Sequence, residues 1–198
     1  MNLLRLFLAI PIPETVRSEL RRVQLESQPL PPPRAVRWTR PEQFHLTLKF
    51  LGNVPASDTG ALSEAVRAVC AVAPPLRLRA EGVGFFPNEF SPRVFWVEIK
   101  SLDGKLMQFQ RQLEAAVEQF GEKQEKKQFT AHVTLARLEK LGRREAEKWT
   151  GQLQKDRTFG EWTAQKVELV QSTLSPNGAI HAIFATFNTK NEQSLKLF

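Results

Sequence analysis

Cysteine is nearly absent from this chain, and the absence excludes a good deal. Cys70 is the one cysteine in 198 residues, so no internal disulfide framework exists, and a single thiol is a poor start for a structural zinc site. Flanked by Val69, Ala71 and Val72, Cys70 reads as a small apolar residue on a helix, and a reducing cytoplasm is the expected setting. Long apolar runs are missing too. The opening MNLLRLFLAIPIP is interrupted by Arg5 and closed by Pro11 and Pro13, so residues 3–10 read as a buried strand rather than a signal peptide. Nothing else approaches the ~20 apolar residues that cross a bilayer, so no membrane association is expected. Acidic residues fall short of basic ones, 21 against 28, a net +7 that favours a polyanionic partner such as nucleic acid. Histidine is scarce, with three in the chain. The 41% hydrophobic and 25% charged content argues against disorder, and no flexible linker breaks the composition.

What is present is a repeat. Strand 3–10 leads to a helix opening at Pro13, with Val16, Leu20 and Val23 at helical spacing. The stretch 28–40 holds four prolines with Arg34, Arg37 and Arg40, and reads as a basic loop that is neither helix nor central strand. A strand at 44–51 ends at Gly52. Ser57 or Asp58 can cap a helix carrying Leu62, Val66 and Val69, and strand 76–86 follows. The same order then returns: strand 94–100, a helix from Asp103 with Leu106, Gln110, Leu113, Val117 and Phe120 on one stripe, strand 130–137, a helix near 142–153, and strands near 161–172 and 179–187. The pattern predicts an α+β fold in one 1–198 domain. Its two lobes of antiparallel sheet, from about 1–90 and 91–198, would be related by a pseudo-twofold axis, with outer helices and a cleft between them.

Each half carries one four-residue word on its second strand: His45-Leu46-Thr47-Leu48 and His132-Val133-Thr134-Leu135. Side chains alternate along a strand, so His45 shares a face with Thr47, and His132 with Thr134, while the leucines and Val133 point to the core. A twofold brings these pairs across one cleft. Imidazole titrates near pH 6.5, so one ring can accept a proton while its partner donates one. Threonine hydroxyls can hydrogen-bond phosphate oxygens as charge develops. A strained cyclic phosphate needs no metal for activation. No Asp, Glu or Cys sits at ligand spacing near either histidine, so no metal is expected.

With those residues in view, the chain resembles the two-histidine phosphoesterase superfamily, and within it the RNA 2′,3′-cyclic phosphodiesterases, also called 2′-5′ RNA ligases. The likeness runs through LRLFLAIPIPE, RWTRPEQFHLTLKFLG, GVGFFPN, PRVFWV, FTAHVTLAR and the closing LVQSTLSPNGAIHAIFATF. The resemblance implies hydrolysis of RNA 2′,3′-cyclic phosphate ends to 2′-phosphomonoesters without a cofactor, with 2′-5′ ligation as the reverse reaction. It implies His45 as proton donor, His132 as proton acceptor, and Thr47, Thr134 and Arg137 as phosphate ligands. Strict alternation would put Arg137 on the face opposite His132, so the strand must end or bulge near Ala136 if the guanidinium is to reach phosphate. The expected partner is RNA bearing a cyclic phosphate end, acted on by a monomer without an obligate protein partner.

Other residues have blander readings. His181 lacks a threonine two residues on and reads as a structural histidine. Lys49 shares the alternation face of His45 but reads as a solvated strand-end lysine. Trp38 and Phe129 are candidates to stack on a base, and Phe44 faces the core. Lys123, Lys126 and Lys127, with Glu122 and Glu125, form a solvated charge run beside the second motif, and Gly82, Gly84 and Pro87 read as turn or bulge residues. Two rival functions remain: the same chemistry on a small cyclic nucleotide or a tRNA half, and a non-catalytic RNA-binding module.

Overall fold

The computed structural model describes residues 2–32, 35–122, 128–139, 141–175 and 178–190. Nine strands and four helices occur among them, in the order β1 (Leu3–Pro11), α1 (Glu14–Ser27), β2 (Val36–Trp38), β3 (His45–Pro55), α2 (Thr59–Val72), β4 (Leu76–Phe86), β5 (Val94–Ser101), α3 (Leu106–Ala116), β6 (His132–Leu138), α4 (Arg143–Thr150), β7 (Thr158–Ala164), β8 (Lys166–Ser175) and β9 (Gly178–Asn188). The fold is α+β with two sheets, ordered β3-β1-β8-β9 and β2-β6-β5-β4-β7, and every pairing is antiparallel. Helices α2 and α3 pack on the first sheet, while α1 and α4 pack on the second, Trp149 of α4 nesting against Phe85 and Phe95. Among the described residues no helix is long and apolar enough to cross a membrane.

The sheets do not correspond to the sequence halves. The first joins β1 and β3 to β8 and β9; the second joins β5, β6 and β7 to β2 and β4. Three local expectations also change. The stretch read as one strand near 161–172 is two strands in different sheets, broken at Gln165. The basic loop contains a three-residue strand, β2, at a sheet edge, where its Val36 and Trp38 gain apolar cover while Pro29, Pro31 and Pro32 stay outside the ladder. Neither Ser57 nor Asp58 caps α2, because Ser57 Oγ donates to Asp58 itself and residues 56–58 form a 3₁₀ turn that leads into the helix. Arg34, Lys123, Glu125, Lys126 and Lys127 lie outside the described residues.

The two motif strands are built alike down to their irregularities. His45 pairs with Pro11, Thr47 with Ala9 and Phe50 with Phe7; His132 pairs with Glu98, Thr134 with Trp96 and Arg137 with Val94. Each partner in the second set lies 87 residues after its counterpart in the first. Both ladders slip at the matching place, between Leu8 and Ala9 and between Phe95 and Trp96, so Leu48 and Leu135 are left without a partner across the ladder. A bulge leaves a carbonyl turned out of the ladder, and buried carbonyls must find a donor. Two buried glutamines contribute, at Leu135 O together with the N–H of Thr39. Gln24 of α1 donates through Nε2 to Leu135 O at 2.8 Å, and Gln110 of α3 donates to Leu48 O at 3.2 Å. Gln24 also reaches Thr39 O, whose residue returns its own N–H to Leu135 O. Gln110 sits in the apolar stripe of α3 for this reason.

Gln24→Met and Gln110→Met keep the side-chain length and remove the donor. Gln110→Met takes the donor from Leu48 O, while Gln24→Met takes it from Thr39 O and leaves Leu135 O with the Thr39 N–H alone; each should lower folding stability by about 1–3 kcal/mol, read as a lower urea midpoint at unchanged m-value. A neutral result for both would show the bulges hold without them.

Candidate active site

The bulges decide what faces the cleft. Before each bulge, His45 and Thr47, and His132 and Thr134, alternate with the buried Leu46, Leu48, Val133 and Leu135. After it the phase reverses. In β6 Leu135 and Ala136 are buried in succession, and Arg137 joins the face of His132 and Thr134. In β3 the same slip carries Lys49 to the back of the sheet, where its ammonium pairs with Glu114 of α3 at 2.6 Å, and brings Phe50 to the front. Lys49 therefore leaves the face that alternation gave it.

The cleft between the sheets has a volume of about 1130 Å³ and is lined by His45, Thr47, Phe50, His132, Thr134 and Arg137 with residues from several further segments. Arg5, Arg37 and Arg40 also line it, and Glu122 is the one acidic lining residue among those described. None of the four arginines makes an ion pair or side-chain hydrogen bond with the described residues. Unneutralised cations around a concave surface concentrate field there, as an anion site requires.

Both motif histidines are held in one way. His45 Nδ1–H donates to the carbonyl of Gln43 at 2.7 Å, and His132 Nδ1–H donates to that of Thr130 at 2.7 Å. A carbonyl only accepts, so the hydrogen must be on Nδ1, and a neutral ring then keeps Nε2 as a base. Aromatic rings shoulder each imidazole: Phe7 stacks on His45 with centroids 4.8 Å apart, and Phe86 meets His132 edge-on at 5.0 Å. This cover strips water from the rings and disfavours their charged forms. Burial brings His45 down from 6.5 to about 4; its bond to Gln43 opposes the fall, and charge on His181 or His132 would deepen it. His132 is also lowered by burial, against its bond to Thr130, with the Arg137 charge adding to the fall.

His181, read from the sequence as a structural histidine, lines this cleft. It stands in the cleft, edge-on to His45 at 5.5 Å and to Phe7 at 5.1 Å, and burial lowers its pKa as well. Only the sheet order, which places β9 beside β8 and β8 beside β1, brings it there. Phe50 was legible in principle, because the bulge demanded for Arg137 applies equally 87 residues earlier. Trp38 packs edge-on against Phe95 and Trp149 and also lines the cleft; Phe44 is buried and Phe129 partly so. Gly82 takes φ +77° at a bulge of β4, while Gly84 lies within the strand under the Trp96 indole.

Known proteins share this plan. The family model for LigT-like phosphoesterases matches twice, over residues 10–96 and 97–181. A Thermus thermophilus protein named RNA 2′,3′-cyclic phosphodiesterase is 31% identical, the match covering 96% of this chain and 92% of that one. A Methanocaldococcus jannaschii protein of the same name is 29% identical over 91% of this chain and 98% of its own. Among solved structures, one from Thermus thermophilus superposes with a TM-score of 0.79 at 30% identity, over 95% of this chain and 99% of that one. E. coli LigT complexed with 3′-AMP has the same fold, with a TM-score of 0.77 at 21% identity over 96% and 100% of the two chains. The repeated motif strand, the bulge repeated within it and a family match that itself falls into two consecutive pieces make one case, and the chain belongs to the LigT-like phosphoesterase family.

Proposed function

We propose that this chain hydrolyses 2′,3′-cyclic phosphate ends of RNA to 2′-phosphomonoesters by acid–base catalysis between His45 and His132, without a metal ion. The observation that carries the reading is the matched pair of Nδ1–H···O=C bonds, which leaves Nε2 of both imidazoles for substrate, each beside a threonine hydroxyl. The relatives named RNA 2′,3′-cyclic phosphodiesterase supply the substrate class. Thr47, Thr134 and Arg137 hold the non-bridging oxygens, and one imidazole takes a proton from the attacking water. As that water oxygen bonds to phosphorus, the P–O3′ bond breaks and the other imidazole protonates the 3′-oxygen. With a 5′-hydroxyl in place of water, the same step would open the cyclic phosphate into a 2′-5′ linkage, the P–O3′ bond again breaking as O3′ is protonated. The donor set supports chemistry without a metal: no group of three His, Cys, Asp or Glu suited to a metal occurs among the described residues, and arginines surround the site.

We assign His45 as donor to the 3′-oxygen and His132 as acceptor from water. In the free protein the more heavily buried His45 is the harder to protonate. The assignment therefore needs the substrate anion to bring His45 into its charged form. A negative charge ~4 Å away at an effective dielectric of ~20 contributes ~4 kcal/mol, or ~3 pH units, enough to lift the ring from about 4 to near neutrality.

Three outcomes are expected. His45→Ala and His132→Ala should each lower kcat by about two orders of magnitude or more on an RNA ending in a 2′,3′-cyclic phosphate. The wild type should keep its activity in excess EDTA, and salt-sensitive binding without turnover would instead favour an RNA-binding module. The second concerns pH. Productive enzyme carries one proton on the pair, and both free pKa values lie below 6.5, so kcat/KM should peak on the acid side of neutrality. Bound anion stabilises imidazolium and raises both values, so the kcat optimum should lie ~1–3 pH units higher. Coincident profiles would refute this electrostatic account. The third separates the roles: sulfur in place of the 3′-oxygen makes a leaving group that needs no proton. That substrate should restore turnover to His45→Ala and leave His132→Ala inactive, whereas the opposite pattern would exchange the two roles.

A further inference from the structure

Arg37 of β2 and Arg137 of β6 stand directly opposite each other in the antiparallel ladder, and both line the cleft. Opposed cross-strand residues project from the same face with Cβ atoms about 5 Å apart, and like charges in that position destabilise a sheet. No carboxylate among the described residues neutralises either one. The strand nevertheless fixes Arg37 there, because its neighbour Trp38 is anchored between Phe95 and Trp149. The guanidinium also crosses towards the other sheet and lies against the bare Cα of Gly178, where a Cβ would stand 2.5 Å from Nη2. Gln43 ties the same corner by donating to Ala179 O at 2.6 Å.

One phosphate does not use all of this. Thr47, Thr134 and Arg137 already meet the reacting group, so Arg37 is a second guanidinium beside a filled role. The cleft, at about 1130 Å³, exceeds the ~300–1,000 Å³ that holds a drug-sized ligand. A nucleotide strand places its next negative charge one residue upstream, several ångströms from the first. We propose that Arg37 binds the phosphodiester immediately upstream of the cyclic phosphate, so that the enzyme selects the end of an RNA chain over a cyclic mononucleotide. This rests on the cyclic phosphodiesterase reading of the same cleft.

The test compares three substrates: adenosine 2′,3′-cyclic phosphate, the dinucleotide ApA ending in a 2′,3′-cyclic phosphate, and that dinucleotide with a neutral methylphosphonate at its internal linkage. In the wild type, kcat/KM for the dinucleotide should exceed that for the mononucleotide roughly 10- to 100-fold, as expected of a charge-assisted contact, and the methylphosphonate should abolish the advantage. In Arg37→Gln the dinucleotide should fall by that same factor, and the methylphosphonate should then cost nothing further. Arg37→Lys, which keeps a cation, should recover part of the preference. Equal losses on mononucleotide and dinucleotide in Arg37→Gln, or a methylphosphonate penalty unchanged by the mutation, would overturn the proposal and leave the hydrolytic reading standing. Should Arg37→Gln not fold, a wild-type dinucleotide advantage that survives the methylphosphonate overturns it equally. A wild type that turns over none of the three overturns both.

Discussion

A buried carbonyl has to be hydrogen-bonded, and in this protein that requirement is met at two places from which the cleft takes its shape. Leu48 and Leu135 drop out of register in the motif strands, and Gln110 and Gln24 reach in from helices to receive their carbonyls. Without the slips, Phe50 and Arg137 would point to the core side and Lys49 to the cleft. The helix faces are thus coupled to the cleft face by two amide groups. Each crosses between halves of the sequence: α1 secures the bulge of β6, and α3 secures that of β3.

The symmetry this creates is broken where chemistry needs it broken. The His-x-Thr words are alike, the Nδ1 bonds are alike, and the bulges are alike. The residues that emerge after the bulges are not, an aromatic ring at 50 and a guanidinium at 137. A cyclic phosphate has two chemically distinct ester oxygens and a single nucleoside, so a fully symmetric site would accept it in two orientations and cleave either bond. The unequal flanks, with His181 present beside His45 alone, give the two lobes different faces for one ligand.

Much of this was legible in the sequence. The strands and helices of both halves, the duplicated motif and the core positions between its polar residues follow from periodicity, because alternation over a half-buried strand leaves a strong signal. The need for a bulge before Arg137 was itself a sequence deduction. What did not show was long-range order. The split of 158–175 into two strands of separate sheets hinges on one residue, Gln165, and nothing local marks it. His181 enters the cleft through strand order rather than through its own neighbours, so no spacing rule finds it. Burial of the imidazoles is likewise a tertiary property, supplied by Phe7 and Phe86 from strands distant in sequence.

The exchange of strands between sheets bears on motion. Enzymes that close around a substrate turn about a few residues linking bodies that otherwise part freely. Here the backbone shuttles repeatedly from one sheet to the other, and each sheet is stitched from pieces of both halves. No single hinge separates the walls, since four chain connections cross between the sheets, after β1, β2, β3 and β7. The distance between the two imidazoles is therefore a property of the folded chain rather than of a closing movement. Aromatic rings already in place cover the imidazoles, so this is a vice machined to one gap, without a screw.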